Sequence, residues 1–204
     1  MLKPSRIATS FGVACVAVVT LVAATHAKDK PLCEVAREWV ADNMDALPTT
    51  LAELSTFTPT YRRAIYDALP LPTRANLWRA HLSSFTGPTS TLTTAQRDVV
   101  AQVMANLDTY LADKNSDDTL RPVILSAFSI QEGAPVFAML GPMPLSPNAG
   151  GSPFAECECE VGDNWCAFNH CNRPREGCTP VDACGTLWLD QCDGVCREVG
   201  NDED

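Results

Sequence analysis

The position of the cysteines constrains this sequence more than any other feature. Eight of the ten cysteines lie between Cys157 and Cys196. A segment this short cannot bury a large hydrophobic core, and such cysteine density is typical of small exported domains held together by disulfides. Eight cysteines can pair in many ways, so the sequence leaves the connectivity open. We predict a disulfide framework formed by Cys157, Cys159, Cys166, Cys171, Cys178, Cys184, Cys192 and Cys196.

Two zinc sites of four thiolates each are the alternative interpretation of these cysteines. Zinc ribbons and fingers typically hold the ion with C-x2-C pairs, in which two nearby thiolates bind the same ion. The spacing here is C-x-C-x6-C-x4-C-x6-C-x5-C-x7-C-x3-C and contains no such pair. The spacing therefore favours disulfides, and we expect no metal and no other cofactor. Cys33 lies far from this cluster in sequence, and we expect it to stay outside the bridges.

The first 27 residues have the organisation of a secretory signal peptide. Lys3 and Arg6 come first, an apolar run over residues 11–24 follows, and Ala27 precedes the polar Lys28. This order predicts cleavage between Ala27 and Lys28 and a protein that is secreted or held at the cell surface. A transmembrane anchor is the alternative, but the apolar run is shorter than the roughly 20 residues that span a bilayer.

The negative charge of the chain is concentrated around the cysteines. Residues 28–155 hold 10 basic and 13 acidic residues, whereas residues 156–204 hold 3 basic and 12 acidic residues. An acidic surface repels phosphate backbones and anionic lipid headgroups. We therefore expect no nucleic-acid partner and no electrostatic attraction to membranes, and any protein partner should be basic or neutral.

Residues 28–131 have the pattern of an all-α helical bundle. Apolar residues recur at intervals of three and four within short stretches that prolines, glycines and other turn residues separate. Two stretches begin with a capping box, at residues 50–53 and 93–96, and a last helix is predicted over residues 118–131. The connections are short, which predicts a compact bundle that folds without the cysteine-rich part. Its expected core includes Trp39, Tyr61, Leu77, Trp78, Val103, Leu107 and Phe128.

Residues 132–154 are rich in glycine and proline and predict a linker. The apolar residues 136–140 at its beginning can dock on the helices, whereas the later part should be extended and accessible to proteases. Residues 155–204 then form a small disulfide-rich module, for which we predict little regular structure.

Residues that could carry catalysis are few. The sequence has no nucleophile elbow, no phosphate-binding glycine loop and no H-E-x-x-H motif. Beyond the signal segment the only histidines are His81 and His170. His81 lies at helical spacing from Trp78 and Phe85, which favours a position in the core. His170 adjoins Cys171, and we interpret it as a loop residue rather than a metal ligand. We therefore expect no catalytic residue and no enzyme.

Leu187, Trp188 and Leu189 form the one strongly apolar run within the module. A tryptophan between leucines can insert at a membrane interface or fill a receptor pocket. The alternative is that the run forms the core of the module itself, because so small a domain has few other large apolar groups. We take these three residues as the candidate contact with a bacterial membrane or a cell-surface receptor.

Three details of the cysteine-rich segment point to a family. They are the opening Ala155-Glu156-Cys157-Glu158-Cys159, the six-residue gap to Cys166, and Cys184-Gly185-Thr186 followed closely by Trp188. In these details the chain resembles the bacteriocin fulvocin C-related proteins. The resemblance implies an exported precursor with a signal peptide, a helical region and a C-terminal part similar to a small antibacterial peptide that acts on membranes. The chain departs from the bacteriocin in two respects, since Cys192-x3-Cys196 replaces a close C-x-C pair and the module is strongly acidic.

Two functions remain open at this point. The first is a bacteriocin-like precursor, in which the bundle is a pro-region or folding aid until a processing protease cuts the linker and releases the module. The second is an uncleaved extracellular binding or structural protein whose module recognises a surface partner. An enzyme or a protease inhibitor comes third.

Overall fold

The computed structural model describes residues 30, 32–113, 116–142, 157, 159–163, 165–166, 170–172 and 179–197. The predicted signal segment with its cleavage position between Ala27 and Lys28, the later part of the predicted linker, and Cys178 lie outside these residues. Every helix in the described part is too short or too polar to cross a membrane.

Helices make up most of the described chain between residues 32 and 138, as the sequence pattern predicts. The helices are α1 (Leu32–Asp42), α2 (Leu51–Leu54), α3 (Pro59–Ala68), α4 (Leu71–Ser84), α5 (Thr94–Ala105), α6 (Leu107–Ala112), α7 (Asp117–Leu125) and α8 (Ile130–Gly133). A 3-10 turn at Met44–Ala46 follows α1, and a π-helical turn at Ala134–Ala138 follows α8. Helix α1 packs against α3, and α4 packs against α6.

Side-chain caps decide where several of these helices begin. Both predicted capping boxes are confirmed, at the start of α2 and at the start of α5. A third capping box was not predicted: Ser129 accepts a hydrogen bond from the backbone N–H of Glu132, and the Glu132 carboxylate accepts one from the backbone N–H of Ser129. This cap divides the helix predicted over residues 118–131 into α7 and α8, because each capping box satisfies backbone N–H groups at a new helix start.

The helical part continues past residue 131, where the sequence placed the start of the linker. Helix α8 runs across that position, and the π-helical turn extends the helical path to Ala138. Val136, Phe137 and Leu140 are buried in the main core. The apolar residues at the start of the predicted linker are therefore part of the folded helical region.

The cysteine-rich part consists of short antiparallel strand pairs. Strand β1 (His170–Asn172) pairs with β4 (Val195–Arg197), and β2 (Val181–Cys184) pairs with β3 (Asp190–Cys192). A 3-10 turn at Thr186–Trp188 connects β2 to β3. The disulfide framework is confirmed for the described cysteines: the bridges are Cys159–Cys171, Cys166–Cys196 and Cys184–Cys192, and Cys157 is also disulfide-bonded. Disulfides of this density are typical of an extracellular or otherwise oxidising compartment.

One apolar core extends through both parts of the chain. Trp165, Ala183, Leu187 and Trp188 of the cysteine-rich part belong to the same buried cluster as the helix residues. A smaller cluster joins Cys33 of α1 to Cys157, Val181, Cys184 and Cys192. The helical and cysteine-rich parts thus share packing in the folded chain, and separate folding of the helical part stays a prediction.

Candidate functional site

The three predicted contact residues lie at the junction between the cysteine-rich part and the helices. Leu187 is fully buried, Trp188 is 8% exposed and Leu189 is half-buried. We call the 3-10 turn Thr186–Trp188 the tryptophan plug, because it inserts its apolar side chains into the core of the helical region. The candidate contact is therefore covered in this structure, and it is covered by the helices rather than by the module alone.

The backbone of the plug adopts a conformation that L-residues rarely take. Leu187 and Trp188 have φ angles of 54° and 58°, and Ala183 at the end of β2 has a φ of 70°. Each such non-glycine residue costs on the order of 1 kcal/mol or more. Burial of the Leu187 and Trp188 side chains offsets this cost, since a fully buried large apolar side chain contributes about 1.5–3 kcal/mol.

Two aromatic residues of the helices receive the Trp188 side chain. Its ring meets the Tyr66 ring edge to face at a centroid distance of 5.2 Å and the Trp78 ring at 6.0 Å. The Trp188 Nε1–H donates a hydrogen bond of 2.9 Å to the carbonyl of Ala138. The indole thus contacts α3 and α4 through its ring and the π-helical turn through its nitrogen.

A short chain of hydrogen bonds fixes the backbone of the plug to the same aromatic residues. The Trp78 Nε1–H donates to the Tyr66 hydroxyl at 3.1 Å, and the Tyr66 hydroxyl donates to the Leu187 carbonyl at 3.4 Å. Burial raises the pKa of Tyr66, so its hydroxyl stays protonated and able to donate. The helices therefore bind both the side chain and the main chain of the plug.

An ion pair forms a second attachment beside the plug. Asp163 is 1% exposed, and its Oδ1 lies 2.6 Å from Arg121 Nε on α7. The same carboxylate accepts a hydrogen bond from the backbone N–H of Thr186, and the Thr186 hydroxyl accepts one from Trp165 Nε1 at 2.9 Å. The Arg121 guanidinium also lies over the Trp165 ring, 5.9 Å from its centroid. One arginine of the helical region thus supports the network that positions the plug.

Gly185 allows this network to come so close to the backbone. Its φ of 70° favours glycine, and a Cβ at this position would lie against the Asp190 carboxylate and 2.8 Å from Asp163 Oδ2. The positive φ and the two nearby carboxylates therefore require glycine between Cys184 and Thr186.

Three cysteine sulfurs lie close enough together to suggest a metal site. The sulfur atoms of Cys159, Cys166 and Cys171 are within 4.8 Å of one another. Their closeness follows from two adjacent bridges, Cys159–Cys171 and Cys166–Cys196. Sulfurs in disulfides lack the thiolate charge that binds zinc, so these bridges account for the cluster without an ion.

A shallow cleft lies where α1, α3 and β2 meet. It encloses about 370 Å³, including space open to solvent, and its lining includes two arginines and two aspartates but neither serine nor histidine. The cleft thus brings together charged groups of both signs and two side chains of nucleophilic types, Cys33 and Thr60. The cleft is lined by Cys33, Arg37, Thr60, Arg63, Ala64, Asp67, Val181 and Asp182.

His81 lies in the core, in agreement with its helical spacing. It is 4% exposed, and its ring lies 5.4 Å from the Trp78 ring and 5.1 Å from the Phe85 ring. Its Nε2 is 3.1 Å from the Pro135 carbonyl, and its Nδ1 accepts a hydrogen bond from the backbone N–H of Gly141 at 3.4 Å. His170 begins β1, and its side chain lies outside the described part.

The sequence indicated Leu187 and Trp188 as an apolar run but gave no signal for the residues that they contact. Tyr66 is one of several aromatic residues at helical spacing, and nothing in its local sequence marks a contact 121 residues away. Arg121 and Asp163 each resemble ordinary surface charges. The only available signal was the apolar run itself, which the small module alone cannot cover.

No family model matches the chain, and neither a curated protein nor a solved structure matches it.

Proposed function

We propose that the chain is a secreted bacteriocin-like precursor, similar to the fulvocin C-related proteins, in which a helical bundle keeps the C-terminal module inactive. One observation carries this proposal. The residues expected to contact a target, Leu187 and Trp188, are buried against the helices. A part of a precursor that covers the contact surface of a toxin acts as its inhibitor until the two parts separate.

Separation would expose the contact residues, because their main partners belong to the helical part. Tyr66, Trp78 and Ala138 all lie before residue 142, and each contacts the plug. Without them, the indole of Trp188 and the side chain of Leu187 become an apolar projection on a small cross-linked domain. The three described disulfides join residues 159–196 to one another and keep this domain intact after cleavage of the linker.

The charge of the module favours a protein receptor over the bilayer as its target. With 12 acidic and 3 basic residues in 156–204, the module gains nothing from anionic lipids. Burial of one tryptophan in an interface supplies on the order of 2 kcal/mol, which is too little for tight membrane binding by itself. We therefore propose a neutral or basic receptor on a bacterial cell surface, no nucleic-acid partner, no cofactor and no catalytic role.

Growth inhibition by three purified proteins tests the proposal. These are the intact secreted chain, the free module of residues 155–204, and the free module with Trp188→Ala. We expect the free module to inhibit sensitive bacteria and the intact chain to be inactive. The Trp188→Ala module should be weaker by about thirtyfold, which corresponds to about 2 kcal/mol. Equal activity of the two modules would remove Trp188 from the contact, and equal activity of module and intact chain would refute inhibition by the helices.

An uncleaved extracellular binding or structural protein is the second candidate. The shared core favours it, since the plug and the Arg121–Asp163 pair attach the module to the helices as firmly as parts of one domain. The intact mass of the secreted protein distinguishes the two functions. A fragment of residues 155–204 supports the precursor, whereas a single species beginning near Lys28 supports the binding protein.

A further inference from the structure

The segment of residues 134–142 connects the tryptophan plug to the helices. It carries the Ala138 carbonyl that accepts the hydrogen bond from Trp188. Cleavage of the chain beyond this segment would leave the non-covalent contacts of the plug in place. Release of the module therefore requires a second event that loosens the segment.

His81 holds this segment at two points, and only one form of its ring can do so. Because the Gly141 N–H donates to Nδ1, that nitrogen must be unprotonated. The proton of the neutral ring then lies on Nε2, which donates to the Pro135 carbonyl. A second proton would place an N–H on Nδ1, facing the Gly141 N–H, so that two donors would oppose each other.

Arg62 adds a buried positive charge to the same segment. Its guanidinium donates to the Leu140 carbonyl at 2.7 Å and to the Pro142 carbonyl at 2.9 Å, and the side chain is 5% exposed. Among the described residues, Arg62 on α3 is the charged group that acts on His81. The ring also contacts the aromatic side chains of Trp78 and Phe85 and the backbone of the segment.

The surroundings of His81 thus disfavour its protonated form. Burial lowers the pKa of His81, and the charge of Arg62 lowers it further, whereas the hydrogen bonds to the backbone of Pro135 and Val136 oppose the shift. A buried imidazolium here would have a cation rather than a carboxylate beside it.

We propose that His81 is an acid-sensitive latch whose protonation detaches Gly141, loosens residues 134–142 and withdraws the Ala138 carbonyl from Trp188. The latch is inferred from the contacts of His81 with Pro135 and Gly141 and of Ala138 with Trp188. Its use, the release of the module in a mildly acidic surrounding, rests on the proposed function.

The direction of the pH effect follows from the lowered pKa. His81 binds a second ring proton less readily in the closed form of residues 134–142 than in the open form, where its pKa has the ordinary value of about 6.5. The closed form therefore has its full stability above about pH 6.5 and loses stability as the pH falls below that value. One proton changes the opening equilibrium by at most about tenfold per pH unit, and the loss ends below the pKa of the closed form.

Hydrogen exchange followed by mass spectrometry tests the latch in the full chain. Peptides covering residues 134–142 and 186–190 are compared at about pH 7.5 and about pH 5.0, after correction for the intrinsic dependence of exchange on pH. We expect protection of both peptides to fall at the lower pH, by up to about thirtyfold, which is the limit that one proton and the ordinary pKa of about 6.5 set at pH 5.0. Peptides from α5, which does not contain the latch, should keep their protection.

Two variants and one titration make the result specific. His81→Asn keeps an acceptor near the position of Nδ1 but does not titrate, so its protection should be independent of pH. His170→Asn removes the other described histidine and should behave like the wild-type chain. An unchanged loss of protection in His81→Asn, or no loss in the wild-type chain, overturns the proposal.

If His81→Asn fails to fold, the His81 ring is titrated by NMR in the wild-type chain. Its midpoint must then coincide with the loss of protection, and a different midpoint overturns the proposal. Neither measurement depends on antibacterial activity, so failure of the latch and failure of the proposed function are distinguishable.

Discussion

Replacement of Trp188 by alanine should destabilise the helices, although Trp188 belongs to the cysteine-rich part. The substitution removes an indole that is 8% exposed and packs against Tyr66 and Trp78. Truncation of a buried tryptophan to alanine costs about 3–5 kcal/mol. The loss includes about 1 kcal/mol for the hydrogen bond to the Ala138 carbonyl. Alanine relieves no backbone strain at a φ of 58°, because it has a Cβ like tryptophan.

Thermal unfolding followed by far-ultraviolet circular dichroism, without added oxidant or reductant, measures this effect. The signal reports the helices, which lie before residue 142, so a change caused by residue 188 reports the contact between the two parts. In a chain of this size 1 kcal/mol corresponds to about 2–4 °C in Tm, which predicts a decrease of about 6–20 °C. Val161→Ala, at a side chain of the cysteine-rich part that is 36% exposed, is the matched control and should change Tm by less than about 2 °C.

Trp188→Phe separates packing from hydrogen bonding at the same position. Phenylalanine keeps an aromatic ring against Tyr66 and Trp78 but lacks the N–H donor, so its effect should lie between those of wild type and alanine. A helical melting curve of Trp188→Ala within about 2 °C of the wild-type curve would refute the shared core as a source of stability.

Three further predictions concern the attachment of the module. Gly185→Ala should lower Tm by at least about 4 °C, because the new Cβ would meet two carboxylates at a positive φ. Gly87→Ala, where nothing lies within 4 Å of the new Cβ, should leave Tm unchanged in the same melting assay. Arg121→Gln should lower the free energy of unfolding in urea by about 2–3 kcal/mol, since it leaves the buried Asp163 carboxylate without its cation. Arg79→Gln, at an exposed ion pair, should lower it by less than about 1 kcal/mol, and equal losses would contradict the role given to Arg121. Full reduction of the disulfides should lower the helical Tm as well, because each bridge stabilises the folded chain by about 2–4 kcal/mol and a loosened module holds the plug less well. An unchanged helical transition would show that the helices fold independently.

The helices could be predicted from the sequence because their signals are local. The capping boxes at Thr50 and Thr93 lie within four residues and were recognised from spacing alone. The box at Ser129 has the same form, but Gly133 and Pro135 directly after it suggested a linker. The buried side of α1 contains Cys33, Ala36 and Val40 and leaves Val35 36% exposed, although Val35 lies at helical spacing from Trp39. A short helix with apolar residues on more than one side does not reveal which side is covered.

The candidate site could be predicted only in part, because its contacts join distant parts of the chain. The apolar run at Leu187 and Trp188 was visible, and the expectation that it belongs to a core is compatible with its burial. The choice of Tyr66 and Trp78 as partners depends on the path of the chain between them. The positive φ angles of Leu187 and Trp188 also have no sequence signal, since left-handed conformation is normally marked by glycine or asparagine. Pairing of the cysteines is likewise decided by the folded path, and the sequence left it open.

The long separation between Tyr66 and Leu187 has a consequence for biosynthesis. A ribosome makes the chain from its first residue onward, so α1 to α8 are complete in sequence long before residues 187 and 188 have emerged. Until then the surface formed by Tyr66 and Trp78 has no occupant, and the helices cannot reach their final packing. Contacts of such high contact order form slowly, because closure of the intervening loop precedes any gain from the contact. We therefore expect the nascent helical part to remain loosely packed until residues 187 and 188 have emerged and filled the remaining space in the core.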